Sequence, residues 1–251
     1  MKYLALGPAG MGLFSIIGKL KSIEERIDLF QEISGSSAGA IIALLLGIGL
    51  TIDEILDKTM SVDTHALTSS FSLKSMITMY GCIDPTNCKC ILRDICGGDP
   101  TFRDLKKKIY ISAYNLERTQ TEYFSRDTHP DMSVIDAVYR SCSIPFIFAS
   151  DNMYVDGGLC EKVPLTPFLD KKNEDVLVIE IVSTTENTIK NFMDFAVCLV
   201  RNCMMNRYDY PQFTNRCKIQ ILTSQIAEFT MSMDDKLSLY IKGFKENIIY
   251  L

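Results

Sequence analysis

Apolar positions along the chain fall into short runs of strand length and longer stretches at helical spacing, in near-regular alternation. Lys2–Leu6 reads as a strand running into Gly7, and Leu13–Glu25 as a helix with Ile16, Ile17, Leu20 and Ile23 on one face. Leu29–Ile33 is a second strand. Ala38–Leu46 is a helix apolar nearly all round, which implies burial on every side. Ile52–Thr59 is a short amphipathic helix with Thr51 as its N-cap. Ser61–Pro100 is polar and helical only in patches, so no firm element emerges from it. Ile109–Ala113 is then a β-branched and aromatic strand, Glu122–Ser125 its hairpin-like successor, and Ser133–Arg140 a helix that stops before Pro145. Tyr154–Val155 is a short strand, Val176–Val182 a strand buried on both faces, Ile189–Met205 a helix and Lys218–Leu222 a strand. Leu237–Ile249 closes the chain as an amphipathic helix with Leu237, Ile241, Phe244 and Ile248 on one side. Strands alternating with helices predict an α/β fold: a mainly parallel central sheet with helices on both faces.

Composition narrows this further. At 251 residues, 47% of them apolar and only 8 proline, the chain suits one large domain without linker or repeat. A formal charge of −5 argues against a nucleic-acid partner, though a local patch still permits contact with a membrane surface. Met1 leads at once into the first strand, so no secretory leader is read, and the apolar run Ala38–Leu50 is too short to span a bilayer. Nine cysteines, an odd number without framework spacing, fit a reducing compartment. The expectation is a soluble cytoplasmic protein, peripheral at membranes at most.

Three segments carry candidate chemistry. Gly7-Pro8-Ala9-Gly10-Met11-Gly12 follows the first strand, and a small-residue loop there exposes backbone N–H groups, as an oxyanion hole or phosphate cradle requires. It lacks the Gly-Lys-Ser/Thr of a P-loop and the glycine order of a dinucleotide site. Its bland alternative is a tight turn packed on the helix. Gly35-Ser36-Ser37-Ala38-Gly39 is a G-x-S-x-G nucleophile elbow, in which glycines two away from Ser37 leave room for a sharp strand-to-helix turn. Asp156-Gly157-Gly158 ends a strand, where catalytic groups collect in open α/β sheets, although Asp-Gly also opens ordinary hairpins.

Together these segments resemble the patatin-like phospholipase family. Ile33–Ile41 is similar to that family's elbow almost letter for letter, Ala137–Phe146 to the stretch before its aspartate, and Tyr154–Gly158 to the aspartate motif itself. The resemblance covers about residues 1–167, with 168–251 completing the same single domain, 1–251. It implies a three-layer patatin-like α/β/α fold and hydrolysis of fatty-acyl esters, glycerophospholipids foremost, through an acyl-enzyme. It also implies a Ser–Asp dyad, with Ser37 as nucleophile and Asp156 as general base. A triad through one of the two histidines, His65 or His129, is the alternative. The family's loop is Gly-Gly-Gly-x-Arg/Lys-Gly. Laid on it without gaps, Gly12 stands at the basic position and Leu13 at the last glycine; a register shifted by one makes Gly12 that glycine. Pro8 has no N–H to donate, so the oxyanion donors expected are Ala9 and Gly10, with Met11 as a further one. No cofactor or metal is implied, and calcium should be unnecessary. A lysophospholipid or small-ester hydrolase is one rival; a catalytically silent relative that binds lipid or a protein partner is another, favoured by the altered loop.

Other signals have ordinary explanations. Cys82, Cys88, Cys90 and Cys96 lack paired C-x-x-C spacing and are read as free thiols rather than zinc ligands, and Cys198 and Cys203 as core or helix-surface thiols. Phe192, Met193, Phe195, Leu199, Met204 and Met205 are read first as a core-facing helix side and second as a surface for acyl chains or a bilayer. Lys106-Lys107-Lys108 is read as a solvated loop.

Overall fold

The computed structural model describes residues 1–63, 72–159, 161–184, 189, 192–205, 209–226 and 228–249. Its strands are β1 (Tyr3–Leu6), β2 (Glu32–Gly35), β3 (Gly81–Ile83), β4 (Lys108–Asn115), β5 (Gln120–Ser125), β6 (Phe146–Phe148), β7 (Tyr154–Asp156), β8 (Val176–Thr184) and β9 (Arg216–Leu222). The main sheet runs β5-β4-β2-β1-β8-β9, with β7 also on β4, while β3 and β6 form a separate parallel pair. From β4 to β9 all neighbours are parallel, and β5 and β7 lie antiparallel to β4. The chain fills the β2 side of β1 first and returns to the β8 side later. The strand order therefore reverses beside β1, and in open α/β sheets ligands bind in the crevice beyond the strand ends at such a point.

Helices α1 (Leu13–Ser22), α2 (Ala38–Ile48), α3 (Ile52–Met60), α4 (Leu73–Thr78), α5 (Pro85–Cys96), α6 (Val134–Ser141), α7 (Phe192–Met205), α8 (Thr223–Ile226) and α9 (Met233–Lys245) flank the sheet. Alternation along β1 sends Leu4 and Leu6 into the large core with α1 and α2, and Ala5 to the opposite face. That second face is lined by Val163, Leu165 and Phe168 around a short 3-10 turn and by Phe213, all from irregular chain. α2 is buried almost all round, as its composition demands, and ends at left-handed Gly49. Thr51 caps α3 in a full capping box with Glu54, the Thr51 hydroxyl accepting from Glu54 N–H.

Three expectations move. Helix α1 stops at Ser22, and a 3-10 stretch Glu24–Leu29 delays β2 by three residues, leaving Leu29 on the surface. Parallel pairing of Leu4 with Ile33 and Leu6 with Gly35 sets that later register. The polar region 61–100 holds α4, β3 and α5. Asp84 and Pro85 act there as N-cap and first helical residue, Asp84 accepting from Thr86 N–H. Lys106 is exposed as expected of a solvated loop, but Lys107 Nζ donates to the Ile27 and Phe30 carbonyls and Lys108 pairs with Asp127 at 2.6 Å. Cys82, Cys88, Cys90, Cys96 and Cys198 are free thiols, and burial pushes Cys88 and Cys96 up to about 11.

The closing helix α9 begins four residues earlier than expected, at Met233, after the N-cap Ser232, whose hydroxyl accepts from Asp235 N–H. It packs on α1 through its least bulky side. A Cβ on Gly243 would lie 1.8 Å from the Ser15 carbonyl oxygen, and one on Gly18 would lie 2.0 Å from that of Tyr240. The Ser15 hydroxyl also donates to the Leu239 carbonyl at 2.8 Å. Packing by glycine turns the expected apolar stripe outward, so Leu237, Ile241 and Phe244 are more than 40% exposed. Gly243→Ala should therefore lower stability by about 1–3 kcal/mol through overpacking. Gly97→Ala, with open space around its left-handed backbone, should cost only about 1 kcal/mol. Urea denaturation of the two variants checks the difference.

Candidate active site

Ser37 occupies the turn between β2 and α2 with φ 53° and ψ −126°, a region that L-residues avoid. The strain is held from both sides. A Cβ on Gly35 would lie 2.5 Å from the Gly39 carbonyl oxygen, and one on Gly39 would lie 2.4 Å from that of Leu6, so both positions need glycine. Ser36 N–H donates to the Leu6 carbonyl at 3.1 Å, and the Ser37 carbonyl accepts from Ala40 N–H at 2.8 Å. Ser37 N–H itself donates to the Ser141 hydroxyl at 2.9 Å, from the last residue of α6. The elbow is thus pinned to the end of a helix more than 100 residues away in sequence.

Asp156 reaches the same place through β4. Strand β2 pairs with β4 as far as Gly35 opposite Ile111, and β7 pairs with the remainder, with Asp156 opposite Ala113. Only one β4 residue, Ser112, lies between the two pairings, which are two positions or roughly 7 Å of strand apart. Asp156 is fully buried, its N–H donates to the Ser143 carbonyl at 3.0 Å, and its Oδ1 accepts from Gly158 N–H at 2.8 Å. Gly157 is required by contact, since a Cβ there would lie 2.3 Å from the Ser112 carbonyl oxygen.

The loop after β1 completes the site. Gly7 N–H donates to the Ile179 carbonyl at 3.0 Å, which ties the loop to β8. Gly12 N–H donates to the Ala9 carbonyl at 2.9 Å, and Leu13 N–H to those of Gly10 and Met11. Those two donors hold the turn, leaving the N–H groups of Ala9 and Gly10 on the stretch that lines the Ser37 cavity. Gly10 is left-handed at φ +52° and packs against the Ile226 carbonyl, where any Cβ would collide at 2.2 Å. At Gly12 a Cβ would meet Ile221 Cδ1 at 2.7 Å, the mobile end of a side chain that would have to shift to admit it.

Ser37 lies on the wall between two cavities. One, of about 220 Å³, is lined by Pro8, Ala9, Gly10, Asp156, Lys162 and Glu180 among others. The other, of about 150 Å³, carries an almost unbroken apolar lining that includes Met11, Phe14, Ile41, Leu92, Ile95 and Phe148. Gly10, Ile144 and Phe229 border both.

The structure brings Ser37, Asp156, Ala9 and Gly10 together at one cavity, with Met11 on the other. Gly7, Gly12, Gly35, Gly39, Gly157 and Gly158 shape the surrounding turns. His129 joins neither cavity and packs edge-on against Phe124 at 5.0 Å; His65 lies outside the described residues. Sequence reasoning missed Ser141 as a partner and Cys142 as a neighbour. Burial pushes the Cys142 thiol well up, the Asp156 charge adds to that, and a hydrogen bond with Ser37 opposes it. Both residues stand in the segment Ala137–Phe146, and their neighbourhood to the elbow has no local signature. Lys162 and Glu180, 18 residues apart on opposite sides of an irregular stretch, were equally invisible.

The patatin-like phospholipase family model matches residues 4–169, and this chain belongs to that family. It is 30% identical to the uncharacterized protein R571 of Acanthamoeba polyphaga mimivirus, across 100% of this chain and 95% of that one. It is 27% identical to the probable lipid hydrolase 463L of Invertebrate iridescent virus 6, across 78% of this chain and 75% of that one. Among solved structures, VipD of Legionella pneumophila superposes with a TM-score of 0.54 at 16% identity, covering 95% of this chain and 66% of that one. ExoU, from the ExoU–SpcU complex of Pseudomonas aeruginosa, gives 0.56 at 19%, covering 98% and 50%. At such identities the structural likeness speaks for the fold alone.

Ser141→Ala should leave the Ser37 N–H buried without its acceptor, a loss of about 1–3 kcal/mol in stability. Because that N–H anchors the strained elbow, kcat should fall with little change in KM. Urea denaturation and steady-state kinetics on a soluble ester check both expectations.

Proposed function

We propose that this chain is a serine-dependent lipid acyl hydrolase acting on fatty-acyl esters of glycerophospholipids. The observation that carries the reading is the place of Ser37, on the wall between an apolar cavity and one lined by Asp156 and the β1 loop. An acyl chain fits the first by burial of its methylenes, and the ester carbonyl then stands at Ser37 with the glycerol side toward Asp156. Asp156 accepts the Ser37 proton as Oγ attacks the carbonyl carbon, and the N–H groups of Ala9 and Gly10 hold the developing oxyanion. Collapse of the tetrahedral adduct returns that proton to the departing glycerol oxygen and leaves an acyl-enzyme. Water, deprotonated by Asp156, attacks the acyl carbon; fatty acid leaves and Ser37 regains its proton. Full burial of Asp156 and the Gly158 N–H bond to its Oδ1 fix the carboxylate at the cavity that Ser37 lines.

The apolar cavity is what favours a fatty-acyl ester over a small one. Transient seating on a membrane fits the same face. Phe195 and Leu199 on α7 are 50% and 45% exposed, while Val200 of that helix lines the Asp156 cavity. Phe146, 41% exposed, sits between Ile144 and Ile147 of the same cavity wall. These side chains correct the expectation of a core-facing helix side for Phe195 and Leu199; Phe192, Met193, Met204 and Met205 have side chains outside the described set. An apolar rim beside a cavity mouth is what a lipid surface selects.

A fluorophosphonate probe should label the wild type and fail on Ser37→Ala, and Asp156→Asn should slow labelling by roughly 10²–10⁴-fold. Long-chain esters should exceed butyrate esters in kcat/KM. Folded wild-type protein that takes no label, with and without vesicles, would overturn the reading and leave a lipid-binding or partner-binding relative. Phe195→Ser with Leu199→Ser should lower hydrolysis of vesicle lipid more than hydrolysis of monomeric short-chain lipid, measured side by side.

A further inference from the structure

Lys162 stands behind the β1 loop, with its carbonyl oxygen in van der Waals contact with the space beside Gly7. Its side chain lines the cavity that holds Ser37 and Asp156, and among the described residues it is the one cationic side chain lining either Ser37 cavity. It is held from below. Lys162 Nζ lies 3.2 Å from Glu180 Oε2 and 3.8 Å from Asp209 Oδ2, and Glu180 is only 2% exposed.

Those carboxylates are already shared. Arg216 contacts Glu180 Oε1 at 3.4 Å and Asp209 Oδ1 at 2.7 Å, and Lys218 stands 3.7 Å from Glu180 Oε1. Burial pushes Asp209 upward, but the Arg216 hydrogen bond and the charges of Arg216 and Lys162 outweigh it and hold its carboxyl below the usual range. Three cations thus meet two carboxylates, a surplus of one positive charge (3 − 2). Arg216 is buried at 7% exposure, and of the cluster only Lys162 and the buried Glu180 line the cavity, so Lys162 is its cation there. A buried, hydrogen-bonded framework under one lysine fixes where its charge sits and lowers the entropy lost when it meets a ligand. The loop Gly7–Gly12 itself supplies no cation.

The geometry points to Lys162 as the residue that binds the phosphate of the substrate's head group, on the leaving-group side of Ser37. This assignment rests on the reading of Ser37 as an acyl-hydrolase nucleophile and names the chemistry that site prefers. The negative charge of Asp156 in the same cavity would repel an anionic head group, and Lys162 offsets it with a charge-assisted hydrogen bond to a phosphate oxygen.

The test uses the full chain carrying Ser37→Ala, which stops turnover and separates binding from chemistry. Calorimetry compares dihexanoyl-phosphatidylglycerol with dihexanoylglycerol below their micellar concentrations. Lys162→Met should weaken the phosphatidylglycerol about tenfold more than the neutral lipid, the size of one charge-assisted hydrogen bond, and Lys162→Arg should keep most of the difference. Equal weakening of both lipids, or of neither, would overturn the assignment. So would inorganic phosphate binding as tightly as the phospholipid, since the site would then serve the free anion. Should Lys162→Met not fold, the lysine-bearing protein still decides, because rising salt must weaken the phosphatidylglycerol selectively and a flat response refutes the proposal. If the binding pattern holds while the chain with Ser37 intact hydrolyses neither lipid, the phosphate site stands and the Ser37 chemistry falls.

Discussion

One side of β4 carries two strands in tandem, and the site depends on that arrangement. β2 occupies the first half, running parallel, and β7 occupies the second half, running antiparallel, with Gly35 opposite Ile111 and Asp156 opposite Ala113. The elbow emerges where β2 stops, and the aspartate arrives where β7 stops, from opposite directions along one hydrogen-bonded edge. Neither residue can drift from the other without breaking the ladder on β4. A pair of side chains held by strand register is more rigid than one held by loops, and the proton transfer proposed between them would require that rigidity.

Close backbone approach is the second constraint, and it explains where the glycines fall. Gly39 abuts the Leu6 carbonyl, Gly157 the Ser112 carbonyl and Gly10 the Ile226 carbonyl. Each contact sits between two segments that meet at the cavity, so removing the side chain lets three turns converge around Ser37. The same device joins α1 to α9 far from the chemistry, through Gly18 and Gly243. Glycine therefore marks tight assembly in this fold, and the chemistry is marked by which of those contacts surround the strained serine.

The division of the space around Ser37 connects energetics with function. On one side the lining is almost wholly hydrocarbon, and the acyl chain proposed to lie there would gain in proportion to the length it buries. On the other side are Asp156 and a lysine seated on a buried ionic cluster. Breaking such a cluster by removing one member is costly, because the remaining charges stay buried. The cluster also joins β8, β9 and the segment after the aspartate motif, so the C-terminal third takes part in the site although its sequence carries no motif.

By itself the sequence determined the alternation of strands and helices, hence an α/β sheet of mainly parallel strands, and it placed Ser37 and Asp156 at strand ends. Those features are local: period, propensity and the need for small residues around a sharp turn are written in adjacent positions. It misjudged the start of β2, because strand register follows Leu4 and Ile33 meeting across the sheet rather than the apolar run at Leu29. It could not foresee that the stripe Leu237, Ile241 and Phe244 faces outward, since amphipathic spacing tells that a helix has two sides and not which side a glycine-to-glycine crossing will bury. Ser141 beneath the elbow, Cys142 beside it, and Lys162 on Glu180 emerge only when segments distant in the chain share one hydrogen-bonded edge. Tertiary structure decided those, because hydrogen bonds and ion pairs depend on separation in space, and separation along the chain does not set it.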